Sequence, residues 1–431
     1  MKTTQVRTSE RIDERVHEGV TDAGLRVRVI PKPGYLKSFA VLVADYGSID
    51  TDFEPAGGGP AVHGPAGVAH FLEHKLFQTE DGDAFSLFAR YGASANAYTS
   101  YTQTAYHFGT STDFYPCLDL LLDFVSVPYF TPEAIEKERK VIAQEIRMYE
   151  DSPDAVGHLE LLRALYRTHP IREDITGTVE SIAAIDGDVL RRCHGTFYHP
   201  ENMLLAVSGD LDPSEVFARV EANAARRGPT SAAPPARRLL AEEPPEVTAT
   251  RVERQMAVSM PRVLIGSKER ALGLGPELIR GHRETAFVLD LLFGRSSAFF
   301  EEHCSSGLID DTFQAGFSVG RGGYAHLMLG GETPDPDGLV AAIDRTIEVA
   351  RADGLPRDDF ARLRDKAWGR FVRSFNSAQG VALGEADSAL EHWDLFAYLD
   401  LLASITPEAL ESRLAGLLAP ERRAVSIVRP L

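Results

Sequence analysis

IAAIDGDVLRRCHGTFYHPENMLLAVSGD, residues 182–210, returns in outline at residues 402–430 as LASITPEALESRLAGLLAPERRAVSIVRP. The first copy reads as a turn, a helix, the pair Pro200-Glu201 and an apolar strand. The second repeats that order, with Pro420-Glu421 ahead of a strand from Ala424 to Val428. A proline cannot continue a helix, and an apolar run after it marks a strand. Upstream, Gly92 is followed by strand-like ASANAYTSYTQTAYHFGT, an apolar helix around CLDLLLDFV, and FTPEAIEKERKVIAQEIRM. Gly307 is followed by LIDDTFQAGFSVG and YAHLMLGGE, a helix around LVAAIDRTIEVA, and GLPRDDFARLRDKAWGRF. The same order of strands and long helices twice over marks a duplicated domain. Adjacent strands followed by helix pairs predict an α+β fold. Each of two homologous domains is a mostly antiparallel sheet with helices packed on one face.

Residues 226–246, RRGPTSAAPPARRLLAEEPPE, are rich in Pro and Ala without a sustained apolar period and read as a linker. They separate a domain over 1–225 from its homologue over 247–431. A chain of 431 residues has room for both cores. No stretch reaches the roughly eighteen apolar residues of a membrane-spanning helix. The opening MKTTQVRTSERIDERVHEG lacks the apolar core of a signal peptide. Cys117, Cys193 and Cys304 are too few and too scattered for a disulfide framework. Together these features predict a cytoplasmic protein with reduced thiols. The net charge of −18 repels phosphate backbones, and no basic cluster with interleaved aromatics offsets it. Neither nucleic acid nor membrane is therefore an expected partner.

The chemistry concentrates in PAGVAHFLEHKLFQ, residues 65–78, which has helical periodicity and no Pro or Gly after Gly67. On a helical wheel His70, Glu73, His74 and Phe77 share one face, with Val68, Leu72 and Leu76 roughly opposite. Histidines at i and i+4 stand one above the other, so both imidazoles can reach one cation. Glu73 reaches the same space and can act as a base without occupying a coordination position. This is the H-x-x-E-H order, the reverse of H-E-x-x-H. A bland alternative is a helix whose histidines are merely satisfied at an interface.

A catalytic zinc keeps three protein ligands, so a carboxylate must arrive from elsewhere. EAIEKERKVIAQEIRMYE, residues 133–150, supplies candidates. Its wheel gathers Ile135, Glu138, Val141, Ile142, Glu145 and Tyr149 into one stripe, and Glu150 falls among the polar residues. Glu138 and Glu145 are two turns apart on an apolar stripe, where an unpaired charge is costly. Either could face the site.

HFLEHKLF, GASANAYTS and EKERKVIAQEIRM resemble the pitrilysin, insulysin and mitochondrial processing peptidase family, its small bacterial members above all. The likeness runs through nearly all of the first half. The resemblance implies a zinc endopeptidase acting on extended peptides, with zinc held by His70, His74 and Glu145. Glu145 is the second Glu of an E-R-x-V-I-x-x-E pattern; the spacing of the mitochondrial enzymes would land on Glu150 instead. Glu73 would be the base and Glu138 the carboxylate that steadies the site. Asn96, Ala97 and Thr99 would belong to an edge strand that pairs with substrate backbone. In the second half the family's Arg and Tyr, which hold the substrate carbonyl, fall at His303 and Asp310 of SSAFFEEHCSSGLID (296–310). Arg321 and Tyr324 of VGRGGYAH are the candidates within the chain for that role, which nothing in the sequence assigns to them. The resemblance also implies a possible partner, a metal-less homologous subunit or a second copy. The alternatives are a non-proteolytic scaffold subunit of such a pair, or a metal-binding regulatory or storage protein, which would have no use for a base at Glu73.

Overall fold

The computed structural model describes residues 3–55, 59–227 and 237–431. Both copies of the helix–Pro–strand unit form as read. Helix Gly187–Phe197 leads through a 3₁₀ turn at Pro200–Asn202 into strand Met203–Gly209. Helix Pro407–Leu414 leads through a 3₁₀ turn at Pro420–Arg422 into strand Arg423–Pro430. The duplication extends to pairing. Met203–Gly209 lies parallel to Arg26–Pro31 and antiparallel to Ser38–Ala44. Arg423–Pro430 lies parallel to Arg251–Met256 and antiparallel to Arg262–Lys268. All other pairings among the described residues are antiparallel, so both sheets are mixed but mostly antiparallel.

The first sheet runs, in spatial order, Thr3–Ser9, Glu14–Val20, Arg26–Pro31, Met203–Gly209, Ser38–Ala44, Thr104–Thr110, Ser94–Thr99. The second runs Arg251–Met256, Arg423–Pro430, Arg262–Lys268, Ala325–Glu332, Gln314–Val319. In the first unit the main helical layer covers the face that carries Ala40, Leu42, Ala44, Leu205 and Val207. The alternate residues Phe39, Val41, Val43, Leu204 and Ala206 pack against a single helix, Ala378–Leu390. In the second unit helix Pro153–Leu165 packs on the sheet in the corresponding way.

Two compact units result. One comprises 1–146, 174–240 and 371–396; the other comprises 147–173, 241–370 and 397–431. The halves 1–225 and 247–431 each supply most of one unit and give one helical segment to the other. The physical demand is simple: a sheet apolar on both faces needs a cover on both. Of the linker, residues 228–236 lie outside the described residues, and Arg237–Arg238 pairs with strand Asp52–Glu54. No helix among the described residues is long and apolar enough to cross a membrane.

Candidate metal centre

The helix that carries the paired histidines starts at a glycine clamp. Gly67 has φ 88°, in the left-handed region, and a Cβ there would lie 2.4 Å from the carbonyl oxygen of Thr176. Gly177, at φ 77°, makes the reciprocal approach, with its would-be Cβ 2.5 Å from the oxygen of Ala66. Only glycine tolerates both the conformation and the contact. From this clamp helix Val68–Leu76 sinks into the core, burying Val68, Ala69, Phe71, Leu72 and Leu76. His70 and Glu73 are each only 8% exposed, while His74 is half-buried.

Helix Pro132–Glu150 brings the carboxylates. It buries Ala134, Ile135, Ile142 and Ile146. Val141 and Tyr149, placed on the apolar stripe by the wheel, are exposed instead. The buried stripe is rotated toward Ile146, so Glu138 and Glu145 stand on its border and are partly buried. Glu145 faces both histidines: its Oε1 lies 3.7 Å from His70 Nε2 and its Oε2 lies 3.6 Å from His74 Nε2. Glu138 Oε1 lies 3.0 Å from His74 Nδ1. A carboxylate can only accept, so Nδ1 carries the proton and the Nε2 lone pair is left for a cation. Glu150 is the last residue of the helix and is exposed.

The electrostatics prepare one neutral and one basic imidazole. Burial, with the charge of His74, pushes His70 down to about 3, so it is neutral at pH 7. Burial opposes charge on His74 too. There the hydrogen bond to Glu138 and the carboxylates of Glu73, Glu138 and Glu145 outweigh it and raise its pKa. The bond to His74 holds Glu138 below the usual carboxylate range despite burial. Burial raises Glu73, against the hydrogen bond from Thr99 and the charge of His74.

His70, His74 and Glu145 each offer one ligand atom, and these atoms lie within 4.8 Å of one another. Among the described residues this is the one such group of three. Ligand atoms about 2.0–2.2 Å from one ion in a tetrahedron lie about 3.3–3.6 Å apart, close to the 3.7 and 3.6 Å that separate the Glu145 oxygens from the two Nε2 atoms. His70 Nδ1, buried without a hydrogen-bond partner, is the one loose end in the cluster. Two imidazoles and a carboxylate suit zinc, with a position to spare.

The edge strand Ser94–Thr99 flanks this cluster. Asn96 is exposed; its Oδ1 accepts the backbone N–H of Ala97 at 2.9 Å. It also lines, with Glu73, His74, Phe77, Phe85 and Lys137, a cavity of about 560 Å³. Ala95 and Ala97 pack against the core. The Thr99 hydroxyl donates to Glu73 Oε2 at 2.7 Å, a contact that the reading of this strand as a backbone-pairing element did not include. The alternation that puts Ala95 and Ala97 inward could have found it, since Thr99 is next on that face.

In the second unit, His303 packs its ring on Phe299, with centroids 4.5 Å apart. Asp310 Oδ1 accepts from the backbone and hydroxyl of Thr312, closing a turn. Tyr324 is buried, its ring 5.9 Å from His169 and 6.1 Å from His326.

Residues 63–179 match the family described as Insulinase (Peptidase family M16), and residues 184–367 match the Peptidase M16 inactive domain. The chain is 38% identical over 422 residues to the "Uncharacterized zinc protease YmfH" of Bacillus subtilis (strain 168), covering 98% of each. It is 26% identical to the "Uncharacterized zinc protease YmxG" of the same organism, covering 84% of this chain and 88% of that one. Among solved structures it is similar to an M16-like peptidase from Alicyclobacillus acidocaldarius, with TM-score 0.93 and 34% identity over 100% of this chain and 99% of that one. It shares its fold with a protease from Helicobacter pylori, at TM-score 0.83 and 18% identity over 97% of this chain and 100% of that one.

Proposed function

The chain belongs to the insulinase family, peptidase family M16, and from that premise we propose that it is a zinc-dependent endopeptidase of extended peptides. The observation that carries the reading is the convergence of His70, His74 and Glu145 beside the buried carboxylate of Glu73.

In this reading His70 and His74 through Nε2, and Glu145 through its carboxylate, are the ligands. Zinc held there supplies Lewis acidity, polarising the scissile carbonyl and making water easier to deprotonate. Glu73 takes the proton of the attacking water and returns it to the departing amine nitrogen as the C–N bond breaks. No acyl-enzyme forms, because Glu73 acts as a base and not as a nucleophile. Glu138 fixes the tautomer and the orientation of His74. The outer edge of Ser94–Thr99, which pairs with no further strand among the described residues, is suited to take substrate backbone as an added strand, which favours unfolded peptides over folded proteins. The unpaired thiols of Cys117, Cys193 and Cys304 fit a cytoplasmic location.

The test is cleavage of a quenched, unstructured peptide by the purified chain. Activity should be lost to a chelator and restored by zinc. Cleavage that persists after the metal is stripped would refute the reading.

One observation favours a second component. At the two positions expected to hold the substrate carbonyl, His303 packs on Phe299 and Asp310 closes a turn. A partner of the same fold, metal-less and carrying an Arg/Tyr pair, is the proposed source of those donors. If the metal set proves dispensable, the scaffold role replaces catalysis.

A further inference from the structure

We infer that Thr99 is a positioning residue for Glu73: its hydroxyl ties the base to the edge strand that would receive the substrate. The inference rests on the peptidase reading above and adds a device to it. Glu73 reaches its site through a flexible side chain, and a base must be held within hydrogen-bond distance of the proton it takes. Thr99 Oγ1 donates to Glu73 Oε2 at 2.7 Å. With Oε2 engaged, Oε1 is the oxygen left to accept a proton.

The donor is itself anchored. Thr99 pairs across the hairpin with Thr104, which is fully buried and whose hydroxyl donates to the oxygen of Tyr46 at 2.8 Å. The turn between them is closed by Ser100 N–H to Gln103 O at 2.8 Å and by Gln103 N–H to Ser100 Oγ at 3.1 Å. Thr99 is also β-branched, which restricts χ1 and keeps the hydroxyl aimed. Helix and strand are thereby joined by one charge-assisted hydrogen bond. A peptide that adds to Ser94–Thr99 would be in register with the strand, and the strand is in register with the base. Docking and proton transfer would then share a single reference frame.

The experiment compares zinc-loaded full-length wild type with Thr99→Val and Thr99→Ser on the unstructured peptide. Valine keeps the shape and removes the donor, so kcat should fall about 10- to 100-fold. KM should stay within about twofold, with zinc content and thermal midpoint as in wild type. Serine should recover most of the lost kcat. Crystal structures of metal-free wild type and Thr99→Val should show the Glu73 carboxylate displaced in the variant. An unchanged kcat in Thr99→Val overturns the inference. So does a fall in kcat that merely tracks lost zinc or lost stability, or a carboxylate that stays in place. If the wild-type chain shows no chelator-sensitive cleavage, the peptidase reading fails, and the position of the carboxylate still decides whether Thr99 holds it.

Discussion

Replacing three glutamates one at a time along helix Pro132–Glu150 should rank them by their distance from the ion. Glu145 is the one that faces both Nε2 atoms, at 3.6 and 3.7 Å. Structural zinc binding is worth about 10–16 kcal/mol over four ligands, or about 2.5–4 kcal/mol per ligand. Glu145→Gln keeps the volume and removes the charge, so zinc affinity should fall about 100- to 1,000-fold. Glu138 touches only the far nitrogen of His74, at 3.0 Å. Its loss leaves the ligand set intact but frees the ring to rotate and removes its tautomer lock, which should cost about 10- to 100-fold. Glu150 lies five residues beyond Glu145, about 7.5 Å along the axis, and is exposed. Glu150→Gln should bind zinc as wild type does. The assay is competition for zinc against a chromophoric chelator at one fixed pH, since the ligands bind only when deprotonated. Circular dichroism checks that each variant is folded; Glu138 and Glu145 are partly exposed and Glu150 is exposed, so folding should survive. A zinc-depleted Glu150→Gln beside a zinc-replete Glu145→Gln would reverse the assignment.

Four further outcomes follow from the same structure. Glu73→Gln should abolish cleavage and leave zinc content near wild type, because the amide keeps the shape but cannot accept a proton; a variant that loses its zinc, as His70→Ala should, would make Glu73 a ligand. Gly67→Ala forces a Cβ to within 2.4 Å of the Thr176 oxygen at a positive φ. It should lower stability by about 1–3 kcal/mol, read by thermal unfolding, and a wild-type midpoint would refute the clamp. Glu243 accepts from Lys268 Nζ and from the backbone N–H groups of Arg167, Thr168 and His169. Burial opposes its charge, yet these donors bring its pKa from 4.5 down to about 2. A depressed carboxylate stabilises fully above its unfolded pKa and loses that contribution as pH falls through the folded one. The urea-midpoint deficit of Glu243→Gln should therefore be complete at pH 7 and shrink between about pH 4.5 and 2; a deficit constant across that window would refute it. Finally, a metal-less homologue carrying an Arg/Tyr pair should raise kcat/KM by about tenfold or more, whereas robust turnover by the chain alone, lost in Tyr324→Phe, would place the missing donor within this sequence.

Much of the architecture was readable because it depends on local signals that occur twice. The prolines at 200 and 420 each open a 3₁₀ turn between a helix and a strand, and the apolar runs after them are strands in both copies. The exchange of segments between the units was not readable in the same way. Helix Ala378–Leu390 is small and apolar on most sides, which marks it as buried but not which sheet it covers. One sign did exist. Strand Ser38–Ala44, SFAVLVA, is apolar at nearly every position, and a strand covered on one face alternates. Its odd-numbered residues were asking for a second cover, and Ala378, Ala382 and Ala386 supply it.

The site was legible where one helix sets the geometry and less so where two elements meet. His70, Glu73 and His74 fall together by the helical period alone. For the second helix, a wheel knows the period but not the direction of its neighbour, so it drew Val141 and Tyr149 into a stripe that in fact turns toward Ile146. Glu138 and Glu145 sit on the border that both versions share. The Thr99 contact needed the sheet's alternation and the helix's period to be combined, and no single pattern does that. The second unit makes the complementary point. Its edge strand Gln314–Val319 has the same succession of exposed and half-buried residues as Ser94–Thr99. Both edges face the same packing demand, so the fold repeats. A buried carboxylate beside two histidines, as at Glu73, His70 and His74, meets no such packing demand, because taking ionisable groups out of water costs free energy. The apolar pattern therefore runs through both halves, while among the described residues the one group of three metal-competent side chains stands in the first.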